Sequence, residues 1–338
     1  MKIEILCSQG SPLGVTSKTV YGDDFRVGVG GSELALLTMC EEWTKVGHEV
    51  ILYNNPFERG VSPFEQRNVG AFVADDNRDV IIIFRHPNDV GISANGLKVW
   101  WCTDPPQATK SYASMMDKIV CISPYQFGLF EAIYDTENIV VIDLPVRVYE
   151  YEKPIEKVPY RVIFSSVPAR GSSVLHRMWS RLCDAIPEIS LVLTADYRLW
   201  GSAPSDGNFI EDWKSQRNYE YMGAVGREKL IEEQLKAQIH LYPSLYDELF
   251  CLSVAESEVA GAYPITTAIG ALETTNMGTV FDLDAGNPAN DDIFISHTIE
   301  LLNNQNGLKE MQEQIREWTV ERFSPATVLK QWDERVFK

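Results

Sequence analysis

Short β-rich runs alternate with helical patterns along this chain, and the alternation breaks once before it restarts. The first round offers strands at Lys2–Cys7, His48–Asn54, Val80–Arg85, Lys98–Thr103, Lys118–Ser123 and Ile139–Leu144. Between the first two lies a helix over Ser32–Val46, with Leu34, Leu37, Cys40 and Trp43 at helical spacing and Gly47 as its C-cap. A second helix is expected over Pro124–Tyr134. Continuous apolar strands alternating with helices imply a parallel, doubly wound sheet. The polar stretch 149–159 carries two prolines and few aliphatics, and it reads as a linker.

The second round has strands at Arg161–Ser165, Ser190–Ala195, Tyr219–Met222, Ile239–Pro243, Tyr263–Thr267 and Thr279–Leu283. Its helices are expected at Ser172–Ile186, Glu228–Ala237, Leu252–Ala260, Asp292–Asn303 and Leu308–Arg322, followed by Pro325–Phe337. Ser202–Asn218 reads as a polar insertion. The expected organisation is two Rossmann-like α/β domains, 1–148 and 160–322, with a terminal helix over 323–338. Ligands of such sheets bind outside the carboxyl ends of the strands, here in a cleft where two such domains face each other.

With 338 residues, 45% hydrophobic and 23% charged, the chain has the composition of a soluble globular protein. No apolar run approaches the ~20 residues that cross a bilayer, and the start reads as a strand rather than a signal peptide. Six scattered cysteines without a CxxC pair suggest reduced, buried thiols and a cytoplasmic setting. A net charge of −18 disfavours bulk binding to nucleic acid or anionic lipid. A few well-placed cations would still hold an anionic small molecule.

The chemistry concentrates in one stretch, Tyr242-Pro-Ser-Leu-Tyr-Asp-Glu-Leu-Phe-Cys-Leu-Ser-Val-Ala-Glu256. Two acids at that spacing mean little in a chain with 48 of them. Their context means more. Glu248 follows an apolar strand and is flanked by aromatic residues; Glu256 lies in a small-residue helix, and Glu258 is expected on that helix's solvated face. Gly261 and Pro264 bracket the return to a strand. Carboxylates accept hydrogen bonds from sugar hydroxyls, and a helix N-terminus suits phosphate.

Pro243–Thr267 resembles the donor-binding motif of family 4 retaining glycosyltransferases, which have the GT-B fold. The resemblance implies that Glu248 contacts the donor sugar and Glu256 the ribose hydroxyls. The backbone at Leu249, Phe250, Cys251 and Leu252 would face the diphosphate. Three further segments are similar to the family in the expected order. Tyr221-Met-Gly-Ala-Val-Gly-Arg would put Gly223 and Val225 near the base. Phe164–Leu175 would put Arg170, before Gly171, on the diphosphate, where a guanidinium binds bidentately. Gly28-Val-Gly-Gly-Ser would place Gly30 and Gly31 against donor and acceptor, with Ser32 capping the helix.

The chain departs from the family at two places. Phe164 stands near the first of two usual phosphate cations, so that either one cation suffices or another, such as Arg147 or Arg177, substitutes. Thr103 stands where relatives often have a histidine, with Asp104 beside it as a catalytic candidate. Arg85, His86, Trp101 and Thr103 are acceptor-side candidates, although a histidine before proline is more often a structural hydrogen-bonder. Of Trp100 and Trp101, one is expected to pack and the other is left open. His48 reads as structural, and His176, His240 and His297 lack metal-ligand spacing. Asp282-Leu-Asp284 reads as a turn. No metal motif and no cofactor is expected.

The implied activity is metal-independent, retaining transfer from a UDP- or GDP-sugar, in which a C-terminal helix packs back on the N-terminal domain. The acceptor is a saccharide, protein, small molecule or, less favoured by charge, a modified DNA base. A nucleotide-sugar epimerase and a catalytically silent nucleotide-sugar-binding module are the alternatives.

Overall fold

A computed structural model describes the chain except residues 8–14, 17–19, 21–28, 57–61, 135–136, 195 and 198–210. Gly28 of the glycine-rich turn, Ala195 and most of the 202–218 insertion therefore lie outside the described residues. The chain divides into two compact units. The first draws on 1–23, 31–145 and 323–338, and the second on 24–30 and 146–322.

The first unit holds a seven-stranded sheet in the order β3-β2-β1-β4-β5-β6-β7. Its strands are β1 Lys2–Cys7, β2 Glu49–Tyr53, β3 Glu65–Arg67, β4 Val80–Phe84, β5 Leu97–Trp101, β6 Lys118–Cys121 and β7 Ile139–Val141. All pair in parallel. Every residue of β4 is buried, as a strand covered on both faces requires. Strand β3 carries only Glu65, Gln66 and Arg67. As an edge strand it needs no apolar face, so no periodicity announces it. Helix α1 (Gly31–Lys45) begins one residue earlier than expected, so Ser32 sits inside its first turn rather than at the cap. Gly47, at φ 90°, follows its end.

Helix α2 (Pro124–Glu131) is capped by Ser123, whose hydroxyl accepts the Gln126 N–H. Near the chain end, Trp332 packs edge-on to Trp43 and Trp101, each at 5.1 Å between ring centres. The Gln331 amide oxygen accepts the Asp143 N–H at 3.0 Å.

The second unit repeats the winding with six strands in the order β10-β9-β8-β11-β12-β13. They are β8 Arg161–Phe164, β9 Ser190–Leu193, β10 Tyr219–Tyr221, β11 Ile239–Tyr242, β12 Tyr263–Thr267 and β13 Thr279–Phe281. The longer helices are α3 Ser172–Ala185, α4 Arg227–Lys236, α5 Leu252–Val259, α6 Asp291–Asn303 and α7 Gln305–Phe323, with α8 Pro325–Trp332 returning to the first unit. Helix α3 buries Val174, Leu175, Met178, Trp179, Leu182 and Cys183, one stripe at helical spacing.

Two segments expected to be polar connections carry buried aromatic residues instead. Val148–Tyr151 forms a 3-10 turn with Tyr151 buried. Trp213, in the tail of the insertion, packs on His176 and Tyr219. Both stretches are mostly polar, and single aromatics anchor them. All six cysteines are buried free thiols. Among the described residues no helix is long and apolar enough to cross a membrane.

His240 in β11 is wholly buried, and neither ring nitrogen has a partner among the described residues. Burial pushes its pKa down to about 3. The unfolded chain therefore takes up a proton that the folded chain refuses between about pH 6.5 and 3, so stability falls on acidification by up to ~1.4 kcal/mol per pH unit. His240→Leu removes two unsatisfied polar atoms, and a gain of about 1 kcal/mol is expected at pH 7. The gain should widen below pH 6, as urea titrations at both pH values would read.

Candidate functional site

In both sheets the strand order reverses between the unit's first and fourth strands, β1/β4 and β8/β11. Ligands of doubly wound folds collect there. In the second unit, Arg170 and Gly171 follow β8, while Ser244–Cys251 follows β11. The two loops touch closely: a Cβ on Gly171 would lie 2.4 Å from the Pro243 carbonyl oxygen.

That contact brings Arg170 to Glu248. The Arg170 Nη1 donates to both carboxylate oxygens, at 3.0 and 3.1 Å. The Tyr242 hydroxyl donates to Oε1 at 2.5 Å. Tyr246 lies under the guanidinium at 4.3 Å. The Glu248 side chain is 4% exposed and that of Arg170 25%. Burial pushes the Glu248 carboxyl up, and the Arg170 charge opposes it. The Glu248 carbonyl accepts the Ala271 N–H at 2.6 Å, which fixes the loop from below.

Leu249, Phe250, Cys251 and Leu252 are buried and lead into α5. Cys251 precedes the helix at φ 73°, a left-handed conformation uncommon for a side chain with a Cβ. At the far end of α5, the Lys157 Nζ donates to the Ala260 carbonyl at 2.8 Å and to that of Ala237, after α4, at 2.6 Å. The amino group thereby satisfies carbonyls left over at both helix C-termini, while burial pushes its pKa down to about 7.

Glu256 lies one face away and has its own arginine. Arg227 Nη1 donates to Glu256 Oε1 at 2.5 Å, and Arg227 Nε to Glu150 Oε2 at 2.7 Å. Gly223, at φ 66°, and half-buried Val225 belong to the turn that delivers Arg227 to the start of α4. Arg227 escaped the sequence reading. Its one signal is a basic residue in a helix first turn, where the dipole disfavours it.

Glu258 is not on a solvated face; it is wholly buried. Helix α5 is covered all round, so its polar residues report packing rather than solvent. Burial pushes the Glu258 pKa up to about 8. Its Oε1 accepts the Met277 N–H at 2.6 Å. Thr319 Oγ1 lies 3.0 Å from its Oε2 and 2.8 Å from the Ile315 carbonyl. One hydroxyl proton cannot serve both acceptors. A protonated Glu258 that donates to Thr319 satisfies every atom. The folded state thus holds a proton that the unfolded chain gives up above about pH 4.5, so stability falls as pH rises toward 8. Glu258→Gln reproduces the protonated pattern. The variant is expected to match wild type at pH 5 and exceed it at pH 8 in thermal melts.

The substitutes proposed for the phosphate cation are engaged elsewhere. Arg177 grips Asp291 at 2.7 and 2.6 Å. Arg147 is buried beside Glu150 at 3.7 Å. Phe164 is buried in β8.

In the first unit, Arg85 follows β4 in a left-handed conformation, φ 69°. It donates to Asp104 at 2.6 and 3.3 Å and to Glu33, in the first turn of α1, at 3.0 Å. His86 bonds Gln107 at 2.7 Å and lies 3.9 Å from Asp104. Thr103 is buried. Both tryptophans pack. Trp100 sits among Tyr112, Phe130 and Tyr134, and Trp101 among Trp43, Phe84 and Trp332. Trp101 is therefore a core residue and offers no ring to a ligand, because the returning chain end covers it. Gly30 and Gly31 precede and open α1 without a positive φ. Asp284 accepts the Gly286 N–H in a turn after β13. Among the described residues no three His, Cys, Asp or Glu side chains gather as metal ligands.

Two Rossmann-like, doubly wound units of this order define a GT-B fold, the architecture of many glycosyltransferases. The chain superposes over 99% of its length on HepE from Anabaena in complex with UDP, covering 99% of that chain at 12% identity and a TM-score of 0.72. A glycosyltransferase from Rickettsia africae matches 98% of this chain and 96% of its own at 16% identity, TM-score 0.72. Sucrose-phosphate synthase from Thermosynechococcus elongatus matches 100% and 99% at 14% identity, TM-score 0.73. No protein-family model matches the sequence, and no curated protein does.

Proposed function

We propose that this chain is a family 4 retaining glycosyltransferase that moves a sugar from a nucleotide diphosphate to an acceptor without a metal ion. One observation carries the reading. Both acids of the Glu248–Glu256 motif are buried and arginine-paired beside the β8/β11 switch point. Isolated surface acids would show neither property. The HepE structures, solved with UDP, with UDP and glucose, and with UDP-glucose, support a UDP-sugar donor.

Arg170 would meet the diphosphate as negative charge builds on it, helped by backbone N–H groups at Leu249–Leu252. Glu248 would orient the donor sugar, and Glu256 would accept the ribose hydroxyls. Attack from the leaving-group face needs no enzyme nucleophile. Arg85, His86 and Asp104 are the proposed acceptor-side group, because Arg85 and His86 follow β4, a strand of the first unit's switch point, and Arg85 holds Asp104 beside them.

Incubation with labelled UDP-, GDP-, ADP- and dTDP-sugars, with and without EDTA, tests the reading. Binding or slow hydrolysis of one donor in EDTA is expected, with the released sugar keeping its anomeric configuration. Neither binding nor hydrolysis of any donor would overturn it.

A further inference from the structure

Behind Glu256 stands a row of alternating charge. Arg147 lies 3.7 Å from Glu150, Glu150 2.7 Å from Arg227, and Arg227 2.5 Å from Glu256. The four side chains are between 3% and 7% exposed. The row is neutral as a whole and ends on the Glu256 carboxylate. Arg227 touches both acids. Its Nη2 lies 3.4 Å from the Tyr151 hydroxyl, which itself donates to Gln234 at 2.8 Å.

The placement of Arg227 breaks a local rule: a cation in a helix first turn opposes the helix dipole. Such a local conflict is characteristic of functional sites. A lysine would not replace it, since one ammonium cannot hold two carboxylates at fork geometry.

We propose that Arg227 is a positioning residue for donor recognition: it holds Glu256 by Oε1 so that the carboxylate reads the ribose hydroxyls, and Glu150 holds Arg227 in turn. This rests on the nucleotide-sugar reading. A hydrogen bond from a hydroxyl to a carboxylate is worth about 1.5–3 kcal/mol, or roughly 10–100-fold in affinity.

The test is calorimetric titration of the full chain with UDP and 2′-deoxy-UDP, and with the guanosine and adenosine pairs. Wild type is expected to prefer the ribonucleotide by at least ~10-fold. Arg227→Met should cut that preference to about 2-fold while leaving the deoxynucleotide affinity close to wild type, and Arg227→Lys should recover only part. Glu150→Gln leaves Arg227 and Glu256 charged and should lower the preference by roughly 3-fold; it carries the test if Arg227→Met does not fold. A role in packing alone would weaken both nucleotides equally. That result, or an undiminished preference in the variants, overturns the proposal. Wild-type binding without ribose preference overturns it while sparing the glycosyltransferase reading. No binding of any nucleoside diphosphate overturns both.

Discussion

Arg170→Met is expected to lose transfer activity by roughly 10²–10³-fold, and Glu248→Gln cannot restore it. The stability pattern should differ from the activity pattern. Removing Arg170 alone leaves the Glu248 carboxylate, 4% exposed, without its cation. The cost is about 3 kcal/mol, at the low end for a buried pair because a quarter of the Arg170 side chain meets water. In the double variant Arg170→Met/Glu248→Gln no charge is stranded, so most of that loss should return. Activity should not return, because the cation proposed to meet the diphosphate is gone. Urea unfolding beside steady-state kinetics separates the two effects. If the double variant is as unstable as the single one, the pair does not couple and the account of its electrostatics fails.

Gly171→Ala and Gly270→Ala are both expected to damage the second unit, because each position combines a positive φ with a close backbone approach. Gly171 stands at φ 132° and Gly270 at φ 64°. A Cβ on Gly270 would lie 2.3 Å from the Glu248 carbonyl oxygen and 2.6 Å from its amide nitrogen. Backbone atoms cannot swing aside as a side-chain tip can, so the Glu248 loop itself would have to move. Each change is expected to cost about 2–4 kcal/mol, from strain and overpacking together. Gly128→Ala is the control: it lies within α2, and nothing stands within 4 Å of the added carbon. There a gain near 1 kcal/mol is expected. Thermal melts of the three variants check the contrast. Equal melting temperatures would contradict the close approach.

Much of this fold was readable because parallel strands are buried on both faces. Val80–Phe84 is a continuous apolar run, and Ile239–Tyr242 is broken by His240 alone, so their type needs no partner information. Strand Glu65–Arg67 was not readable, since an edge strand carries no such pattern. The two motif acids were legible through the turn residues around them. Their arginines were legible unequally. Arg170 precedes a glycine in a recognisable turn, whereas Arg227 reaches Glu256 from 29 positions away, and only the fold makes them neighbours. Glu258 went the other way, because helical spacing does not distinguish a helix covered on every side from one with a wet face. Trp101 was ambiguous for a similar reason: what covers it is Trp332, far along the chain.

The most direct test of the account is a crystal structure of the protein soaked with UDP or GDP. The account predicts diphosphate density within hydrogen-bond reach of the Arg170 guanidinium and the backbone at Leu249–Leu252, and ribose hydroxyls on Glu256. Nucleotide bound away from the β8 and β11 strand ends, with the Arg170–Glu248 and Arg227–Glu256 pairs untouched, would contradict it.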